Sequence, residues 1–153
     1  MDPITVIGVI ASVLQIASNC GKTLQSLSHL KSRFKNAGPT LDALGSEVDQ
    51  IKDNLTTLQG ILEEKDHSFA EILKSRRDLQ ETVTRTLRGC DVVFKLLSKD
   101  LAKILSSSAD TEKKLDFIRM TKFTKNEKIF KDYLEQIRSH QIALTMLCQI
   151  LQM

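Results

Sequence analysis

The residues that could act as nucleophiles, bases or metal ligands are scattered along the chain. Gly21-Lys22-Thr23 resembles the end of a phosphate-binding loop, but that loop also needs a preceding strand and a glycine at position 16, where the chain has isoleucine. His29, His67 and His140 are isolated from one another, and the chain has no HExxH zinc motif. The acidic residues fall mainly on the outer faces of predicted helices. We therefore expect no enzyme active site, no metal site and no cofactor.

The three cysteines, Cys20, Cys90 and Cys148, match neither a CxxC motif nor the spacing of metal ligands. Three cysteines cannot all pair within one chain. Each lies on the apolar stripe of a predicted helix, where a free thiol behaves as a small hydrophobic side chain. The pattern predicts reduced cysteines in the core of an intracellular protein.

Positive charge is concentrated at the two ends of the chain. Residues 1–40 and residues 111–153 each carry a net charge of +3, and residues 41–110 carry −3. Because the termini of a bundle often lie close together, this distribution allows a basic face that could bind phosphates or anionic lipid. A solvated surface of mixed charge is the alternative.

Within the C-terminal basic region, cations recur at every third residue from Arg119 to Lys131, which predicts a basic corner rather than a stripe. Anionic lipid is one candidate partner for such a corner. Nucleic acid is a weaker one, because few aromatic side chains alternate with the cations. The candidate residues for contact with anionic lipid are Lys22, Lys31, Arg33, Lys35, Arg119, Lys122, Lys125 and Lys128.

The N-terminal segment from Pro3 to Gly21 contains 19 residues without a charge. A signal peptide would need a basic start, which the segment lacks. A transmembrane helix is disfavoured by Gln15, Ser18 and Asn19, although the length is adequate. A helix that is apolar around its whole circumference and lies at the centre of a bundle is the preferred interpretation, and release of that helix to a membrane is the alternative. The residues assigned to this membrane- or oligomer-active helix are Ile4, Val6, Ile7, Val9, Ile10, Val13, Leu14 and Ile16.

The composition predicts long helices, because only 6 glycines and 2 prolines are available for turns and aromatic residues are only 5% of the chain. We expect one domain over residues 1–153, an all-α, up-and-down bundle of four to five helices with a mostly buried apolar N-terminal helix. We also expect this domain to be the N-terminal part of a larger protein. The predicted helices span residues 4–34, 40–64, 68–105, 112–120 and 124–152.

Local signals place these helix boundaries. The segment from Asn36 to Pro39 ends the first helix, and capping boxes at Ser68–Glu71 and Thr124–Glu127 begin two others. The apolar residues from Leu41 to Leu62 alternate steps of three and four, which indicates a helix buried along one face. Two arginines interrupt the apolar pattern and indicate a join near residues 75–78. Gly89 lies in mid-helix, where it would permit close packing.

Several segments in order resemble the fungal N-terminal domains found on STAND proteins of the NACHT or NB-ARC type. These segments are Met1-Asp2-Pro3 with the apolar run ITVIGVIASVLQIA, then PTLDALGSEVDQIKDNLTTLQGIL, LRGCDVVFKLLSKDLAKI and FTKNEKIFKDYLEQIRSHQIALTMLCQIL. The chain departs from the family at Phe123, near which a tryptophan is common. The related HeLo and HeLo-like domains are cell-death effectors in heterokaryon incompatibility, a fungal form of innate immunity.

The resemblance implies a cytoplasmic domain that is recruited to the plasma membrane when its receptor is activated. The partners that it implies are further copies of the domain, anionic membrane lipids, and NACHT, NB-ARC or repeat domains in the same chain. Oligomerisation would expose the first helix, which then perturbs the membrane. The competing hypothesis is a homotypic interaction module without membrane activity, and an exposed apolar patch, for example on helix 41–62, would favour it.

Overall fold

In the computed structural model, the described backbone covers residues 6–33, 38–63, 75–106 and 114–152, and the described side chains lie within 8–32, 39–63, 75–105 and 127–152. These residues form four helices and no strand: α1 (Val6–Arg33), α2 (Gly38–Glu63), α3 (Arg77–Ser106) and α4 (Lys114–Gln152). The predicted all-α bundle is confirmed.

The four helices surround one core in the order α1, α2, α4, α3. α1 and α4 therefore lie at diagonal corners, and so do α2 and α3. The chain runs in alternating directions from helix to helix, as an up-and-down bundle does. α2 and α4 are nevertheless parallel neighbours, because Glu47 bonds to Arg138 and, two turns later, Asn54 bonds to Thr145.

Helix α2 shows how spacing alone dictates burial. Alternating steps of three and four keep its apolar residues on one helical face, which packs against α1 and α4. The helix begins at Gly38, two residues before the predicted residue 40. Pro39 lies in the first turn, where backbone N–H groups have no partner within the helix, so the lack of an N–H in proline costs no hydrogen bond. The whole predicted seam is buried, namely Leu41, Leu44, Val48, Ile51, Leu55, Leu58 and Leu62.

Helix α3 begins at Arg77, after Arg76, which is not helical. The predicted join near residues 75–78 is therefore confirmed. Residues 68–74, including the predicted capping box from Ser68 to Glu71, lie outside the described residues. Phe94 of α3 and Phe130 of α4 are the largest fully buried side chains among the described residues, in a core built mainly from aliphatic residues.

The C-terminal third of the chain differs from the prediction. Separate helices at 112–120 and 124–152 are wrong, because α4 is one continuous helix from Lys114 to Gln152. A capping box is only one way to satisfy backbone N–H groups. In a continuous helix the carbonyl four residues earlier accepts the same hydrogen bonds. No glycine or proline lies between 114 and 152 to break the helix.

Helix α1 is mostly buried through its apolar side chains, but it is not enclosed. The predicted mostly buried apolar N-terminal helix is confirmed, but α1 does not lie at the centre of the bundle, because it packs chiefly against two helices, α2 and α3. Leu14 is 48% exposed, and Gln15 also faces solvent. The buried apolar side chains of α1 are Val9, Val13, Ile16, Cys20, Leu27 and Leu30.

Gly89 lets α3 and α4 approach each other closely. A Cβ atom at this position would lie 2.5 Å from Cε1 of His140, which is too close for non-bonded carbon atoms. The predicted role of this mid-helix glycine is confirmed. Burial lowers the pKa of His140, so the neutral imidazole is favoured at the contact.

A double-mutant cycle tests this contact. Gly89→Ala is expected to lower the free energy of unfolding by about 1 kcal/mol, because overpacking against His140 exceeds the gain in helix propensity. In a His140→Ala background the same substitution should raise it by about 1 kcal/mol, since only the propensity gain remains. Urea unfolding measures all four variants. An equal gain in both backgrounds would show that the ring does not constrain position 89.

Candidate interaction surfaces

The residues assigned to the membrane-active helix do not form one surface in this conformation. Val9, Val13 and Ile16 are buried in the core, and Ile10 is half-buried. Leu14 is exposed. The backbone of Val6 and Ile7 belongs to α1, whereas Ile4 lies outside the described residues. Val9, Val13 and Ile16 thus stabilise the bundle, and contact of these three side chains with lipid requires α1 to move.

A groove of about 320 Å³ runs between the N-terminal half of α1 and α3. The buried side chains Val9, Ile16 and Leu87 form its apolar base, and the exposed Gln15 and Arg88 border it. Asp91 also lines the groove. The packing between α1 and α3 is therefore open along this stretch.

Polar contacts along the same seam are of two kinds. The Asp91 carboxylate forms an ion pair with Lys95 through Oδ2, at 2.8 Å, but its buried Oδ1 has no hydrogen-bond partner among the described residues. About two turns beyond the groove, the Thr23 hydroxyl donates to the Asn19 carbonyl oxygen and lies 3.3 Å from the Ser98 hydroxyl. Since Thr23 already donates to Asn19, Ser98 is the donor between the helices. A buried oxygen without a hydrogen bond is unfavourable, so the hydrogen bonding between α1 and α3 is poorest beside the groove.

The phosphate-loop resemblance at Gly21-Lys22-Thr23 is a chance match. All three residues lie inside α1, with Thr23 buried and Lys22 exposed. A phosphate loop instead precedes a helix and presents several backbone N–H groups, which inside a helix are already bonded.

The predicted lipid-contact cations that lie in described helices belong to the helix segments on one side of the bundle's midpoint. That end holds the C-terminal parts of α1 and α3 and the N-terminal parts of α2 and α4. Lys22 and Lys128 are exposed, and Lys31 forms an ion pair with Asp42 of α2. For Arg33, Arg119, Lys122 and Lys125 only the helical backbone is described, and Lys35 lies outside the described residues.

Charge is therefore distributed unevenly along the bundle axis. The basic end carries twelve basic and eight acidic residues, counted over 22–33, 38–50, 97–106 and 114–138. The opposite end carries five of each sign, counted over 6–21, 51–63, 77–96 and 139–152. In that opposite end α1 and α4 contribute no charged residue at all. One end is basic, and the other is neutral and rich in apolar side chains.

Among the described side chains, the large exposed apolar residues lie on α4, on α3 and, at Leu14, on α1, but not on α2, where an interaction patch was suggested. On α4, Ile142, Met146 and Ile150 follow one another at intervals of four residues on the outer face and are about half exposed. On α3, Val92 is 50% exposed and Leu96 is 49% exposed. The described residues of helix 41–62 form no exposed apolar patch, because the apolar residues of its seam are buried in the core. The suggested location of the patch is therefore wrong.

The outer face of α3 was not singled out from the sequence. It presents five exposed cations around the exposed Val92 and Leu96, namely Arg85, Arg88, Lys95, Lys99 and Lys103. The spacing in the sequence carried this signal, because each of these cations and aliphatic residues lies three or four residues from another member of the set.

The three cysteines are buried and are not activated as nucleophiles. Burial raises the pKa of the Cys20 and Cys90 thiols to about 12 each, so both are protonated near neutral pH and are poor nucleophiles. Cys148 is also buried, and all three cysteines are free, which confirms their prediction as reduced core residues. Among the described side chains there is no group of three potential metal ligands.

None of the described helices combines the length and the apolar composition needed to cross a bilayer. Comparisons of the chain with protein-family models, with curated proteins and with solved structures found no match. The resemblance to fungal STAND N-terminal domains therefore stays a prediction from the ordered sequence segments.

Proposed function

We propose that this bundle is the N-terminal effector and signalling domain of a fungal NLR-like receptor, which induces regulated cell death of the heterokaryon-incompatibility type without catalysis. Oligomerisation of the receptor brings several bundles together at the plasma membrane. α1 then leaves the core and perturbs the bilayer. The family resemblance supports the biological context, and the geometry of α1 supports the mechanism.

The observation that carries the proposal is the absence of charge on the first four turns of α1. No charged residue lies between Val6 and Gly21, although this stretch contains exposed positions such as Leu14. Burial of a side chain such as Val13 is worth about 1.5–3 kcal/mol, so release of α1 into water is strongly unfavourable. Release into lipid or against a neighbouring bundle preserves the apolar surroundings. Exposure of α1 is therefore coupled to membrane or to assembly.

The position of α1 makes such a release geometrically simple. It is the first helix, it occupies a corner, and it packs chiefly against α2 and α3. Its departure leaves the contacts between α2 and α4 and between α3 and α4 in place. The open groove and the unpaired Asp91 oxygen lie on the seam that must separate.

A reversible lock between α1 and α3 tests the proposal without removing core residues. The hydroxyl oxygens of Thr23 and Ser98 lie 3.3 Å apart, so Thr23→Cys with Ser98→Cys can form a disulfide after a small side-chain rotation. The readout is dye release from phosphatidylserine-containing liposomes, with the bundles assembled by a fused oligomerising coiled coil. We expect the oxidised variant to be inactive and the reduced variant to release dye like the wild-type protein.

Two controls complete this experiment. Wild-type protein measured with and without reductant separates the effect of the lock from that of the reductant, and peptide mapping verifies that the bond joins positions 23 and 98. Equal release by the oxidised and reduced variants would rule out a mechanism in which α1 leaves the core. No release by any assembled sample would rule out membrane perturbation altogether.

A homotypic interaction module is the second candidate, and the outer face of α4 favours it. Ile142, Met146 and Ile150 form an apolar stripe, and no charged residue occurs between 139 and 152. Exposed aliphatic residues in such a row are typical of protein interfaces. If the assembled wild-type protein releases no dye, and Met146→Asp abolishes self-association in sedimentation velocity, this second function replaces the first.

A further inference from the structure

The outer face of α3 combines positive charge with exposed aliphatic side chains. Arg85, Arg88, Lys95, Lys99 and Lys103 recur at three and four residues, so they lie along one side of the helix. From Arg85 to Lys103 the face is about 27 Å long at the rise of an α-helix. Val92 and Leu96 lie in the middle of it, each about half exposed. We call these seven residues the α3 face.

The carboxylates of this part of α3 do not cancel the positive charge on the face. Asp91 lines the groove towards α1 and forms an ion pair with Lys95, whose side chain remains 60% exposed. Asp100 accepts a hydrogen bond from the Tyr133 hydroxyl of α4. The neighbouring helix α1 contains no acidic residue from Val6 to Arg33. Residues 85–103 carry five cations and two carboxylates, so the α3 face keeps a net positive charge. The exposed Glu81, one turn before Arg85, is the next carboxylate beyond the N-terminal end of the face.

We propose that the α3 face is a docking surface for a lipid bilayer with anionic headgroups. The cations attract the headgroups, and Val92 and Leu96 enter the boundary between the headgroups and the acyl chains. This inference rests on the proposed function and names the surface through which the resting bundle first meets the membrane.

The combination of residue types favours lipid over other anionic partners. A surface that binds single-stranded nucleic acid would be expected to add aromatic side chains for base stacking, and the α3 face has none. Its long lysine and arginine side chains can extend to headgroups while its aliphatic residues lie deeper, as in helices that lie in the membrane interface. Docking in this orientation places the groove and the uncharged half of α1 next to the membrane.

Vesicle co-sedimentation of the full chain tests the docking surface. Wild-type protein should bind phosphatidylcholine vesicles that contain phosphatidylserine and should bind pure phosphatidylcholine vesicles weakly. Arg85→Gln with Lys99→Gln should weaken binding to the anionic vesicles about 30-fold, because each cation near such a surface contributes about a fivefold effect. The charge-matched control is Lys52→Gln with Arg138→Gln, which removes two exposed cations from α2 and α4 and should change binding little.

A second pair of variants tests the aliphatic contribution. Val92→Ser with Leu96→Ser should weaken binding about tenfold, since the exposed half of each side chain would otherwise enter the lipid. The matched control, Ile142→Ser with Met146→Ser, removes exposed aliphatic residues from α4 and should bind like the wild type. Circular dichroism melts verify that all four variants remain folded.

The outcomes separate this inference from the proposed function. If binding depends on the α3 face but assembled bundles release no dye, the docking surface stands and the membrane-perturbing function fails. If dye is released equally by the α3-face variants and their controls, the function stands and the docking surface is wrong. Equal binding to neutral and anionic vesicles, or binding to RNA or duplex DNA without binding to vesicles, would also overturn the inference.

Discussion

Val13→Asp is expected to cost at least about 4 kcal/mol in free energy of unfolding, because it places an unpaired carboxylate in the core. Val13 is completely buried between α2 and α3 and belongs to the central apolar cluster. A domain of this kind has a total stability of about 5–15 kcal/mol, so the variant should be largely or wholly unfolded. Urea unfolding followed by far-UV circular dichroism measures the effect.

The neighbouring residue provides the matched control for this prediction. Leu14 is 48% exposed, so Leu14→Asp should change the free energy of unfolding by less than about 1 kcal/mol. The two substitutions place the same charge one residue apart on α1. Similar stability losses in both variants would mean that α1 is not oriented as described. The Leu14 variant is also suited to functional assays, because a loss of dye release by a folded protein cannot be attributed to unfolding.

Lys125→Pro is expected to destabilise the bundle by about 3 kcal/mol, the usual effect of proline inside a helix. The structure has position 125 in the interior of α4, which runs from Lys114 to Gln152. If a separate helix began after a capping residue at Thr124, position 125 would be its first residue, where proline is well tolerated. Thermal unfolding of this single variant therefore distinguishes one long helix from two shorter ones.

Proline at the start of α4 is the control for that measurement. Lys114→Pro lies in the first turn of the helix, and we expect a change in stability of less than about 1 kcal/mol. A tolerated proline at position 125 would reverse the assignment and restore the two predicted helices. Pro39, in the first turn of α2, shows that the protein already accommodates proline at such a position.

The helical class and much of the core follow from the sequence because periodicity and composition are local properties. The seam from Leu41 to Leu62 had to lie on one helical face, and no arrangement of this chain could leave so many leucines in water. The buried cysteines and the close approach at Gly89 follow for the same reason, since each residue occupies a defined position on a periodic pattern. The capping box at Thr124 gave a wrong helix boundary, because residues of a capping box can equally lie inside a continuous helix.

Only the tertiary structure decided which helices are neighbours and which apolar side chains stay outside. A periodic stripe shows that a face is buried, but it does not name the helix that covers it. The order α1, α2, α4, α3 therefore could not be predicted from spacing. That order leaves α1 with one open side and turns Val92 and Leu96 of α3 outward among lysines and arginines. The sequence by itself determined that the chain forms helices with a shared core, whereas the packing of those helices determined which surface remains available to a membrane.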